Sequence, residues 1–177
     1  MFQMFSFWKK ILVILNRGID QGWRQLTGLP TLKRSMITPN IFLGGQYSFN
    51  RLSRLKTLGI TAIVNMRISS ITNPDFLKDF RYLHLPTVDQ TAPSMENLVK
   101  GAQFIDDVIK QGGKVYIHCM AGEGRGPTMV MAYFIHSGMT FDDAFETVLK
   151  VRTFIRPSQA QKDQLKKFEK LKKSTSI

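Results

Sequence analysis

Val115-Tyr116-Ile117-His118-Cys119-Met120-Ala121-Gly122-Glu123-Gly124-Arg125-Gly126-Pro127-Thr128 is the stretch around which this chain is organised. It begins as a buried strand, passes through a glycine-rich loop and opens into the apolar helical run Met129 to Ile135. The one cysteine of the chain stands where strand meets loop, with five residues between it and Arg125. A thiol ringed by loop N–H groups and the positive end of a helix is expected to be a thiolate at neutral pH. The N–H groups of Met120, Ala121, Gly122, Glu123 and Gly124, together with the Arg125 fork, make an anion cradle suited to phosphate. A nucleophile and an oxyanion binder in one loop are the layout for covalent phosphoryl transfer.

The rest of the chain sets the frame for that loop. A length of 177 residues is one domain with enough mass to bury a core. A single cysteine cannot close an internal disulfide, so nothing depends on an oxidising compartment. A lone cysteine is by default a small buried hydrophobe, but its place between His118 and a glycine-rich loop points to catalysis. The net charge of +12 is uneven. Residues 1–34 carry six Lys/Arg against Asp20 alone, and residues 150–177 carry nine against two acids. The middle, 35–149, holds ten of each sign, so the excess is expected on the two ends, outside the catalytic body. Basic ends favour an anionic partner, whether membrane lipid, nucleic acid or acidic protein; the other reading is solvated helix faces.

Phe5, Trp8, Leu12, Leu15, Ile19, Trp23 and Leu26 recur at steps of three or four, a helical stripe over residues 2–26. Lys9, Lys10, Arg17 and Arg24 supply the opposite face. The longest apolar run, Ile11 to Leu15, is far short of the roughly 20 residues a membrane span needs. The charges do not precede a long apolar core and no small-residue cleavage site follows, so a secretory signal peptide fits poorly. Three readings of the stripe stand side by side: contact with a membrane interface, packing on the chain's own core, or a targeting role.

Gly28-Leu29-Pro30 breaks this helix and 31–40 reads as a linker. Strands are expected at Ile41–Leu43, Ile60–Met66, Arg81–Leu85 and Val115–Ile117, with a helix at Asn50–Leu58 and a possible helical turn at Asp75–Phe80. Further helices run from Met95 to Gln111 behind a Ser94 cap, from the loop to Ser137, from a Thr140 cap to about Thr153, and from a Ser158/Gln161 capping box to about Lys172. Strands alternating with helices make an α/β fold, a mainly parallel central sheet flanked by helices, with an amphipathic N-terminal helix. The expected division is an extension at 1–34 and a catalytic domain at 35–177.

His-Cys-x-x-Gly-x-Gly-Arg at the end of a strand resembles the signature of the cysteine-dependent phosphatases of the dual-specificity type. The likeness covers roughly residues 36 to 172, and Ile41-Phe42-Leu43-Gly44-Gly45, Ile63-Val64-Asn65-Met66-Arg67 and Ile155-Arg156-Pro157-Ser158-Gln159 resemble family landmarks. Leu85-Pro86-Thr87-Val88-Asp89 resembles the family's acid loop, thirty residues ahead of Cys119. Within the family, Thr87 to Thr91 and the run from Asn97 to Cys119 look most like the mitochondrial-type phosphatidylglycerophosphate phosphatases.

The resemblance implies roles. Cys119 is the nucleophile, Arg125 the binder of phosphoryl oxygens, and Asp89 the general acid that later activates water. Glu96 and Asp106 fall on the following helix and compete poorly for that last role. His118 orients the loop and tunes the thiol, or else is a satisfied core histidine. Gln164 is a further candidate for orienting water. Two departures stand out. Gly126 replaces the Ser or Thr that the family places after the arginine, which implies slow breakdown of the phosphoenzyme. Glu123 sits in the loop where phosphoinositide phosphatases tend to hold lysine, so a single phosphate monoester is the better fit than a polyphosphorylated head group.

The implied substrate is phosphatidylglycerophosphate or another monophosphorylated lipid, at an anionic membrane surface engaged through residues 1–34 and 150–173. The alternatives are a dual-specificity protein phosphatase and a phosphate-binding module with weak catalysis. Nucleic acid rests on charge alone. No metal or cofactor is called for: His84, His118 and His136 show no ligand spacing with cysteines or carboxylates. The expected particle is a monomer, cytoplasmic or peripheral on a membrane.

Overall fold

The computed structural model describes residues 2–27, 31–47, 49–70, 75 and 77–175. The Gly28-Leu29-Pro30 break, the Phe5 side chain and residues 71–74 lie outside that description. Helix α1 spans Phe2–Thr27 and a short α2 spans Leu32–Ser35. Strands β1 (Met36–Thr38) and β2 (Ile41–Gly44) follow, then a 3-10 helix at Phe49–Leu58, β3 (Ala62–Asn65) and β4 (Arg81–His84). The chain continues through α3 (Met95–Lys110), β5 (Val115–His118), α4 (Arg125–His136), α5 (Phe141–Val151) and α6 (Gln159–Thr175).

The five strands form one sheet in the order β1-β2-β5-β3-β4. It is parallel except for β1, which runs antiparallel to β2 at the edge. The supposed linker 31–40 therefore contributes an element. Thr38 accepts from the backbone of Asn40 and Ile41, a turn that folds Met36–Thr38 back on β2. The helix expected at Asn50–Leu58 is present but wound as a 3-10 helix. Over Asp75–Phe80, residues 77–79 form a turn.

β5 is the middle strand of the order, and all four of its residues are buried, as a strand covered on both faces requires. Side chains alternate across the sheet. Ile41, Leu43, Val64, Val115 and Ile117 join the large core under α3 to α6, while Phe42, Ile63 and Tyr116 join a smaller one with Leu52 and Leu55 of the 3-10 helix. Helix α4 is the hub of the larger core and packs against α3, α5 and α6. Ser94 caps α3 by accepting from Asn97, and Ser158 with Gln161 closes a reciprocal box at α6. The register lines up Gly44, His118 and Asn65 at the carboxyl edge of the sheet. Cys119 is the next residue, where ligand sites of parallel sheets form.

Candidate active site

The loop after β5 is shaped by what holds its carbonyls. The Met120 oxygen accepts from Gln46 N (2.9 Å), those of Ala121 and Gly122 from Arg152 (3.0 and 2.7 Å), and that of Glu123 from Arg156 N (2.6 Å). The N–H of each trans peptide points opposite to its carbonyl. Four consecutive carbonyls tied outward leave the N–H groups of Ala121, Gly122, Glu123 and Gly124 facing the other way, over Cys119. One of them, Gly122 N–H, donates to Cys119 Sγ at 3.3 Å. Gly122 has φ +71, and a Cβ there would lie 2.5 Å from the Gly44 carbonyl, so both conformation and space demand glycine.

Arg125 opens α4 and is only 6% exposed. Its Nη1 donates to the Thr87 carbonyl at 2.9 Å, and its Nη2 sits 3.0 Å from Asp89 Oδ1. Its Nε is buried with no hydrogen-bond partner among the described residues, a costly arrangement that an oxyanion would relieve. Asp89 itself is exposed and is followed by Gln90 at φ +64, the only non-glycine in the left-handed region among the described residues. Such strain gathers at functional turns. Cys119, the loop, Arg125, Asp89 and Gln90 line one cleft of about 400 Å³.

The other candidate residues take defined places. His118 is fully buried, with its ring against Tyr47 and Tyr116 and Nδ1 3.3 Å from the Cys119 carbonyl oxygen. Burial pulls its pKa down to about 3, so the imidazole is neutral at physiological pH. A Cβ on Gly126 would lie 3.7 Å from Cys119 Sγ, so this is a position from which a hydroxyl would reach the sulfur. Thr128 does not substitute for it: its hydroxyl donates to Gly124 O within α4. Gln164 lies outside the cleft lining and donates to the Pro93 carbonyl, anchoring the segment beyond the acid loop instead of orienting water.

The placement of charge differs from expectation. Arg17 and Arg24 of the N-terminal stretch, and Arg152 and Arg156 of the C-terminal one, converge on the loop. Arg152 is completely buried, stacks on Phe154 and pairs with the buried Asp20 of α1 at 2.9 Å while it holds the loop carbonyls. Glu123 is also buried, with Arg17 Nε on one oxygen and Arg156 Nη2 on the other, both at 2.7 Å. The carboxylate expected to repel phosphates is thus outnumbered by two guanidiniums. Asp20 had a signal, being the single acid in the first 34 residues. Arg156 stood within the landmark Ile155-Arg156-Pro157-Ser158-Gln159 without a role, and Arg152 had no signal of its own inside a basic run.

A thiol at the carboxyl end of the central parallel strand, under a ring of inward N–H groups and beside an arginine from the next helix, defines a cysteine-dependent phosphatase domain. Residues 41–171 match the dual specificity phosphatase catalytic domain, and the chain belongs to that family. Dual specificity protein phosphatase 1-A of Xenopus laevis is 36% identical over 135 residues, covering 75% of this chain and 36% of that protein. MAP kinase phosphatase with leucine-rich repeats protein 3 of Dictyostelium discoideum is 38% identical over 154 residues, 83% of this chain and 18% of that one. The chain spans about a third or less of these two relatives. Among solved structures, PTPMT1 in complex with PI(5)P superposes with a TM-score of 0.74 at 30% identity, covering 80% of this chain and 97% of that one. Tk-PTP in the active form gives 0.70 at 27%, covering 78% and 97%.

Proposed function

We propose that this domain removes one phosphate monoester group from a lipid at an anionic membrane surface, with phosphatidylglycerophosphate as the leading substrate. Cys119 Sγ attacks phosphorus in line as the bond to the leaving oxygen breaks, and Asp89 gives that oxygen its proton. Arg125 and the loop N–H groups hold the phosphoryl oxygens while charge builds on them. Incoming phosphate takes over the guanidinium that pairs with Asp89, which turns the carboxyl toward the leaving oxygen. Asp89 then takes a proton from water, which attacks the cysteinyl phosphate and releases phosphate and the thiolate. His118 acts on the loop from behind and touches no substrate.

The observation that carries the lipid reading is the orientation of α1. Its apolar stripe does not pack on the core: Trp8, Leu12, Leu15, Ile19, Trp23 and Leu26 are all exposed. Its polar side docks instead, and Arg17 from that side lines the cleft. An outward apolar stripe carrying two tryptophans, on a basic chain, suits a helix lying in an anionic interface with the cleft beside it. Among the described residues no helix is long and apolar enough to cross a membrane. In this reading residues 1–34 form the membrane-facing extension of a catalytic domain at 35–177, and the lysines of 150–173 add a second electrostatic contact. The neighbour solved with PI(5)P, a lipid, supports it.

The names of the curated relatives support a different substrate, a phosphoprotein. Hydrolysis of dispersed phosphatidylglycerophosphate and of phosphotyrosine and phosphoserine peptides, with and without anionic vesicles, decides between them. Faster turnover of the lipid, enhanced by vesicles, is expected; a wide preference for peptides ends the lipid reading. Gly126 keeps a third reading in view, a binding module with weak catalysis. A burst of one product per enzyme followed by near silence supports that one, and steady turnover lost in Cys119→Ser excludes it.

A further inference from the structure

The proposed chemistry uses one arginine, yet three line the cleft: Arg125, Arg17 and Arg156. The second and third come from opposite ends of the chain and meet on the two oxygens of Glu123. Glu123 also lines the cleft, but it is largely buried and each of its oxygens is paired with one of the two guanidiniums it fixes. Arg17 spends only Nε on it, and Arg156 only Nη2. Among the described residues neither side chain makes another hydrogen bond, which leaves both Nη groups of Arg17, and Nη1 and Nε of Arg156, as charged donors. Their side chains are 42% and 66% exposed. A cleft of about 400 Å³ lies in the range that takes a ligand much larger than one phosphate.

We propose that Arg17 and Arg156, held in place by Glu123, form a second anion subsite that takes a phosphodiester or second phosphate on the same substrate. This rests on the phosphomonoesterase reading and narrows it: the preferred head group carries a terminal monoester and, a short linker away, a second phosphate. Glu123 acts as a positioning residue, since two unpaired arginines at this spot would repel each other and splay. A guanidinium presents parallel N–H groups that match phosphate oxygens, which a lysine could not do from the same place. The subsite also explains why α1 docks by its charged side. The helix delivers Arg17 to the cleft while Asp20 locks it to Arg152.

The test uses two soluble probes, n-propyl phosphate and propane-1,3-diol bisphosphate. The wild-type chain is expected to favour the bisphosphate in kcat/KM by about tenfold or more, mainly through KM, as charge-assisted hydrogen bonds of this kind allow. Arg17→Gln and Arg156→Gln each lower that ratio severalfold, and the double variant brings it close to one. A ratio is read within each preparation, so a partly unfolded variant does not mimic the effect. The same two compounds titrated calorimetrically into Cys119→Ser read the subsite without turnover. An equal affinity there, or a kcat/KM ratio that survives the double substitution, overturns the subsite. Failure of the wild type to turn over either compound, with the bisphosphate still bound more tightly, sinks the hydrolase reading and leaves the subsite standing.

Discussion

Helices α4 and α1 both flank the loop after β5 and are both apolar along much of their length, yet they sit in opposite ways. Ten of the twelve residues of α4 are buried, and its first, Arg125, turns its charge into the cleft. In α1 the apolar stripe faces out and the docked side carries Arg17, Asp20 and Arg24. Burial of apolar area seats α4 under the sheet. A few charge-assisted hydrogen bonds seat α1, and those of Arg17 to Glu123 and Arg24 to the Met120 carbonyl end on the loop itself. The difference teaches that a stripe says which face is apolar without saying which face is inside.

The first way to break this contrast is at its catalytic end. Cys119→Ser should abolish steady phosphomonoesterase turnover, and Arg125→Lys should cost about 10²–10³ in kcat by losing the planar fork. Initial rates on a monoester check both. A surviving rate would remove α4 and its loop from the chemistry.

The α1 side is next. Removing one partner of a buried ion pair costs about 3–5 kcal/mol when the other charge stays buried. Asp20→Ala, measured by urea unfolding, is expected to approach that value and to lower kcat as well, because Arg152 carries both the pair and two loop carbonyls. A silent substitution would mean that α1 is an ornament on the domain.

His118, behind the loop, gives a pH test. Its pKa is depressed by burial to about 3. The unfolded chain therefore binds the extra proton between pH 6.5 and 3, and stability rises with pH across that window. The contribution is complete above pH 6.5 and falls by at most about 1.4 kcal/mol per pH unit below it. Urea unfolding at pH 7 and pH 5 should show a loss of about 2 kcal/mol that His118→Asn abolishes. An unchanged pH dependence in the variant contradicts a buried neutral imidazole.

A smaller gain is expected at Gly126→Ser. The new Cβ would sit 3.7 Å from the sulfur and 3.0 Å from Leu43 Cδ1, so Leu43 must yield slightly. With a hydroxyl to help the thiolate depart, the steady rate should rise about tenfold, one hydrogen bond's worth, and any burst should shrink. The smallest stability effect belongs to the outer face of α1. Leu12→Glu with Ile19→Glu should move unfolding by no more than about 0.5 kcal/mol, as surface changes do, while abolishing binding to anionic vesicles. A large stability loss would place the stripe in a core after all.

Much of the architecture was legible because its causes are local. The period-2 and period-3.6 patterns, the Ser94 and Thr140 caps and the Ser158/Gln161 box each depend on residues a few positions apart. Cys119 and Arg125 were legible for the same reason, since strand, loop and helix follow one another without a break. Asp89 could be nominated only by resemblance, and its 3.0 Å approach to Arg125 is a long-range fact. β1 was missed because a three-residue edge strand has too few positions to show a period.

What the sequence determined by itself, then, is four of the five strands, most of the helices and the placing of Cys119 and Arg125 on one cleft, because backbone preference and apolar periodicity act over one or two turns of chain. Only the folded structure decided which charges matter. Arg17, Asp20, Arg152 and Arg156 read as parts of two basic ends, and they become a clamp because Glu123 and the loop carbonyls hold the three arginines while Asp20 pairs with Arg152, across separations of 30 to 132 residues. A buried charge is held by whichever opposite group the tertiary fold brings within about 3 Å, and no local pattern encodes that distance.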